Sequence, residues 1–159
     1  MHYINTVKFW LVSILLLSIL SACDMGQVPS GCGDTDYRCI AKQDAYNAGI
    51  PMYTFETQIE AESDFNPDAV SPAGAIGIAQ IMPGTAKDWN VDPHDPIASL
   101  QAAAQHMKIY QDHYNGRYDE ALSAYNAGES RTDWAVKNCL NWKLCVPLET
   151  QRYINIIMG

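Results

Sequence analysis

The chain is short of basic side chains: 10 Lys and Arg stand against 18 Asp and Glu, a net charge of −8 with histidine neutral. That balance excludes nucleic acid as the natural partner. Long apolar runs are also missing. The longest begins at Phe9 and closes at Leu20, short of the roughly 20 residues that span a bilayer. Metal-ligand spacing is absent too, since neither Cys32/Cys39 nor Cys139/Cys145 has the gap of about two to four residues usual at zinc. His94, His106 and His113 offer no i, i+4 pair and are read as non-catalytic, with no metal. Internal repeats are lacking as well: Ala45 to Gly49 and Ala124 to Gly128 spell the same five letters, but their flanks do not match. At 159 residues and 48% hydrophobic content the chain suits one domain and one core.

What is present begins with Lys8 and the apolar run behind it, which reads as a signal peptide over residues 1–22. Leu20-Ser21-Ala22-Cys23 resembles a bacterial lipobox, which implies cleavage before Cys23 and a lipid on its thiol. An ordinary secretory signal is the alternative. Of five cysteines, setting Cys23 aside leaves Cys32, Cys39, Cys139 and Cys145, an even number that can pair. Short separations favour two local disulfides, while crossed pairing stays open if the chain ends meet. Cleavage removes Lys8 and no acid, leaving nine bases against eighteen acids, net −9. Residues 23–36 then form a lipidated cysteine and tether, and the eight residues from Asp24 to Gly31 reach at most about 29 Å. The expected location is the bacterial envelope, periplasmic and anchored to a membrane by the lipid. Asp24 resembles the inner-membrane retention signal of enteric bacteria.

Residues 62 to 86 combine turn-formers and polar groups more regularly than any other stretch. Upstream, Met52, Phe55, Ile59 and Glu62 follow at helical spacing behind Pro51, which suits a first helical turn. Glu62 therefore falls on an apolar face, where desolvation raises the pKa of a carboxyl group. Asp64 points about 200° away around the helix. Beyond it, Asn66-Pro67 and Ser71-Pro72 turn the chain, Gly74 and Gly77 allow close backbone approach, and Pro83-Gly84 stops the short apolar segment.

Glu62-Ser63, Phe65-Asn66-Pro67, Ser71 to Ala75, Gly77 to Pro83 and Thr85-Ala86 together resemble the signature of the lytic transglycosylases, lysozyme-like enzymes that cleave the glycan strands of peptidoglycan. The resemblance implies an all-α, lysozyme-like fold over residues 37–159, with a groove for a glycan strand. It implies Glu62 as catalytic acid and then base. Ser63 and Ser71 would stand near Glu62 or an N-acetyl group, Gln80 and Met82 would line the groove, and Tyr125 and Asn126 would lie across from the acid. No cofactor is implied. The product would be a 1,6-anhydromuramoyl end.

The remaining chain reads as helices. One runs from Tyr37 to Ala48 and ends at Gly49; a helical turn covers Thr85 to Trp89. Asp95 caps a long helix reaching about Tyr114, with Ile97, Leu100, Ala104, Met107 and Tyr114 buried. Asp119 caps the helix bearing Leu122, Tyr125 and Asn126, Thr132 caps another, and the last spans Pro147 to Met158. Tyr125 can offer its hydroxyl to Glu62 or to a sugar. Trp89, Trp134, Trp142 and Tyr118 can stack on sugars, although most belong in the core. Where the family commonly has asparagine, glycine and tyrosine, this chain has Ser99, Ala103 and His106, which puts the packing there in question.

A hydrolase would need a second carboxylate, and Asp68, Asp119, Glu120 and Glu129 lie in no recognisable motif for it. A goose-type-lysozyme-like hydrolase remains an alternative, as does a non-catalytic peptidoglycan-binding adaptor. Secretion, conjugation or phage machinery are the possible partners beyond the wall itself. An acidic protein gains nothing from its overall field toward an anionic wall polymer, so attraction must come from local contacts.

Overall fold

The computed structural model describes residues 31–159. The signal segment, Cys23 and the tether as far as Ser30 lie outside the described residues. Seven helices follow in order: α1 (Tyr37–Ala48), α2 (Met52–Ser63), α3 (Pro83–Trp89), α4 (Pro96–His113), α5 (Tyr118–Ala127), α6 (Glu129–Asn138) and, after a 3-10 turn over Trp142–Cys145, α7 (Leu148–Met158).

Local chemistry sets most of the boundaries. Asp36 accepts from the Cys39 backbone N–H to start α1, and Gly49, at φ 75°, ends it. Asp95 accepts from the backbone N–H groups of Ile97 and Ala98, both at 3.0 Å, ahead of Pro96 at the first position of α4. Two disulfides, Cys32–Cys39 and Cys139–Cys145, close local loops beside α1 and ahead of α7. The pairing left open by the sequence is therefore the local one.

Four expectations need correction. The helical turn expected from Thr85 begins two residues earlier, at Pro83, which ends the apolar segment and opens α3, where its missing N–H costs nothing. Ile97 is 46% exposed. At 100° per residue it lies about 90° from the centre of the buried stripe, which Ser99, Leu100, Ala103, Ala104 and Met107 fill. Arg117, not Asp119, occupies the cap position of α5; Asp119 sits inside the first turn and pairs with Lys143 at 2.8 Å. Thr132 caps nothing, because α6 begins earlier, at Glu129. Its buried hydroxyl bonds back to the Gly128 carbonyl and to Ser123.

Helix α5 is the central element, packed against α4, α6 and α7, while α2 packs on α1 and α7. Phe55, Ile59, Ile78, Leu100, Met107, Leu122 and Ile154 are fully buried at this junction, each contributing about 1.5–3 kcal/mol of burial. Ser99, Ala103 and His106 fit this packing. The first two are buried in α4, and the His106 ring stacks on Trp89 with centroids 3.8 Å apart.

Between α2 and α3 the chain makes a compact loop tied by isolated bridges, Val70 with Ile76 and Ile76 with Ile81. Gly77 has φ 75°, and a Cβ there would stand 2.2 Å from the Pro93 carbonyl oxygen. Only glycine fits. Ser63, at the end of α2, donates to the Ile78 carbonyl at 2.6 Å and so fastens the helix end to this loop.

Candidate active site

The last turn of α2, the loop, α5 and α7 enclose an open groove of about 720 Å³. Glu62, Ser71, Gln80, Met82, Tyr125 and Asn126 line it, and α7 adds Leu148, Glu149, Arg152, Tyr153 and Ile156. A smaller hollow of about 120 Å³ shares Gln80, Met82 and Tyr125 and continues toward Trp89, Tyr110 and Gly128. Ser63 is not in the wall; its hydroxyl is spent on Ile78. His94, His106 and His113 are likewise outside both hollows.

Glu62 is half-buried, and burial pushes its pKa up from 4.5 to about 7, against the opposing pull of a hydrogen bond from Tyr153. The Tyr153 hydroxyl donates to Glu62 Oε1 at 2.5 Å. Occupying Oε1 in this way leaves Oε2 to carry the proton of the neutral acid. The donor is thus Tyr153, not Tyr125, whose hydroxyl goes to the Ala79 carbonyl at 2.7 Å. Burial and the nearby Glu62 raise the pKa of both tyrosines well above the usual value, so both stay neutral donors.

Neighbouring polar groups have complementary vacancies. Gln80 holds a left-handed backbone, φ 48°, because its Nε2 donates to the Gly77 and Ala69 carbonyls at 2.9 and 3.3 Å. Its Oε1 remains an acceptor. Asn126 is oriented the other way: Oδ1 accepts from the Thr150 hydroxyl at 2.7 Å, leaving Nδ2 as a donor. Ser71 Oγ accepts from the Ala75 N–H and keeps its own hydrogen to give.

Of the carboxylates considered as second groups, Asp68, Asp119, Glu120 and Glu129 all lie outside the groove wall. Glu120 is buried and paired with Arg117 at 2.7 Å. The second groove carboxylate is Glu149, on the last helix, where neighbouring residues give it no motif of its own. Tyr153, on the same helix, stands 91 positions from Glu62, and local spacing carries no sign of that contact. Among the described residues one His/carboxylate group could hold a cation, His113 with Glu129 and Asp133, exposed and apart from the groove.

The transglycosylase SLT domain family matches residues 38–141. That is well over half of the chain, and the chain belongs to this family. Among individual proteins it is similar to the transglycosylase of Enterobacteria phage PRD1, with 31% identity over 102 residues, covering 64% of this chain and 36% of that one. It is also similar to the membrane-bound lytic murein transglycosylase D of Escherichia coli K12, with 35% identity over 107 residues, covering 58% of this chain and 24% of the relative. The chain thus spans about a third or less of the length of these relatives. An inactive glutamate-to-glutamine variant of lytic transglycosylase Slt from Pseudomonas aeruginosa superposes with a TM-score of 0.68 at 25% identity, over 79% of this chain and 23% of that one. The 70 kDa soluble lytic transglycosylase of Escherichia coli gives 0.65 at 24% identity, over 77% and 23%. The all-α architecture is the lysozyme-like fold of these enzymes. Helix α7, which supplies Tyr153, lies beyond the residues matched by the family.

Proposed function

We propose that the groove binds a peptidoglycan glycan strand and cleaves its bond between N-acetylmuramic acid and N-acetylglucosamine as a lytic transglycosylase, residues 37–159 forming the catalytic domain. The observation that carries this reading is Glu62, an acid poised near neutral pH in a strand-sized groove with its proton directed away from Tyr153. Its Oε2 proton passes to the bridging oxygen as the bond to the muramoyl C1 breaks, leaving an oxocarbenium-like centre. The carboxylate so formed takes the proton of the muramoyl C6 hydroxyl, whose oxygen closes on C1. A 1,6-anhydro ring results and no water is consumed.

Family membership and the titles borne by relatives support the substrate class. The vacancies support it from this chain alone: an acetamido group offers one N–H and one carbonyl, and Gln80 Oε1 with Asn126 Nδ2 provide the matching acceptor and donor. Ser71 and Met82 complete that wall. An inactive glutamate-to-glutamine variant of a relative with the same fold is what loss of a single catalytic acid produces. We place the protein in the bacterial envelope, tethered through Cys23, where it serves wall turnover or opens the wall locally for a secretion, conjugation or phage apparatus.

A hydrolase is the second reading, favoured by Glu149, a carboxylate on the groove wall able to hold a water. Digestion in ¹⁸O-water separates the two. Products free of the label are expected; incorporation of one ¹⁸O at the muramoyl C1 would establish hydrolysis.

A further inference from the structure

Helix α7 presents Glu149, Arg152, Tyr153 and Ile156 to the groove, the i, i+3, i+4, i+7 face of one helix, with Leu148 beside them. Arg152 is the sole cation in that wall, in a chain of net charge −8. Its guanidinium is exposed, and among the described residues no carboxylate stands within ion-pair distance of it, Glu149 on the same face included. By contrast, Arg38 is bound by Glu60 at 2.7 Å and Arg117 by Glu120 at 2.7 Å. An unpaired guanidinium in an otherwise acidic molecule, on the residue next to the one that holds Glu62, is a fork of N–H donors shaped for a carboxylate.

The inference rests on the glycan reading. A bare chain of acetamido sugars has no charge for Arg152 to meet. The muramoyl sugar, however, carries a lactyl ether that ends either in a peptide with free carboxylates or, once stripped, in a carboxylate of its own. We propose that Arg152 is a specificity-determining residue that binds a carboxylate of this lactyl or peptide substituent, so that the groove selects muramoyl strands bearing an anion over neutral ones. It also answers how an acidic protein holds an acidic polymer: by one local contact rather than by its overall field.

The test compares wild type, Arg152→Gln and Arg152→Lys on three substrates: peptide-bearing strands, strands stripped by an amidase to the free lactyl carboxylate, and stripped strands whose lactyl carboxylate has been converted to a neutral methylamide. On peptide-bearing strands Arg152→Gln is expected to lower kcat/KM about five- to tenfold, chiefly through KM, and Arg152→Lys to recover part of it. On the neutral strands the three proteins should be equal. A loss shared by the stripped strands supports a site at the lactyl position, and a loss on peptide-bearing strands alone supports one farther along the peptide. An equal loss on neutral strands, or no loss on peptide-bearing ones, overturns the proposal. If wild type releases nothing from any of the three, it is the glycan-cleavage reading that fails.

Discussion

Tyr153 and Glu62 meet across the groove through one short hydrogen bond, 2.5 Å from the phenol oxygen to Oε1. The bond joins the last helix to the second one, and α2 and α7 pack against each other beneath it. Burial raises the Glu62 pKa while this bond lowers it, so the two effects together set an acid that titrates near neutrality. Without the donor, the carboxyl group loses both a fixed orientation and part of what stabilises its anion.

Replacing Tyr153 by Phe should therefore lower kcat by about ten- to a hundredfold, because the proton is no longer confined to one oxygen. The pH–rate profile adds a second readout. Loss of the bond raises the Glu62 pKa further, so the limb on which activity falls with rising pH should move to higher pH. A profile that keeps its position while kcat falls would show that Tyr153 serves only packing.

Glu62 also makes stability depend on pH. Its pKa is about 7 when folded against an ordinary 4.5, so between these values the unfolded chain releases a proton that the folded one retains. Folding stability therefore falls as pH rises through that window and stays reduced above it. Glu62→Gln removes the penalty. The variant should match wild type near pH 4.5 and exceed it at pH 8 by roughly 1–3 kcal/mol, measured by urea unfolding at both pH values. Equal stability at pH 8 would mean that the carboxyl group is not desolvated.

Gly77 and Gly74 form an internal comparison. Both have positive φ, 75° and 90°, but a Cβ at 77 meets the Pro93 carbonyl oxygen and one at 74 meets nothing within 4 Å. Gly74→Ala should cost about 1–2 kcal/mol for the left-handed backbone alone. Gly77→Ala should cost more, about 3 kcal/mol or above, since backbone must also move. Chemical denaturation of the two variants side by side checks the order.

The Cys139–Cys145 bridge closes a short loop just before α7. Changing both cysteines to serine should destabilise the domain by roughly 2–3 kcal/mol on the chain-entropy estimate. Activity should suffer beyond that loss, because α7 supplies Tyr153 and Arg152. Thermal unfolding with and without reductant, with activity read well below the transition, separates the two effects.

Much of this architecture was legible in the chain. Gly49 marks the end of α1, and Asp95-Pro96 marks the start of α4. The spacing of Met52, Phe55, Ile59 and Glu62 places the acid at the edge of a buried face, and Gly77 marks a close approach. What stayed hidden depends on distant partners. Tyr125 and Tyr153 are both helical tyrosines, and only the packing of α5 and α7 decides that one bonds the Ala79 carbonyl and the other Glu62. Thr132 has the residue type of a cap, yet the turn at Gly128 lets α6 begin earlier and turns its hydroxyl inward to Ser123.

The most direct measurement is mass spectrometry of the fragments released from purified peptidoglycan by residues 23–159 and by its Glu62→Gln variant. The expected result is 1,6-anhydromuramoyl ends from the wild-type protein and none from the variant, which should still bind the polymer. Comparable release by Glu62→Gln, or reducing muramoyl ends from the wild type, would contradict the assignment of Glu62 as the acid of a lytic transglycosylase.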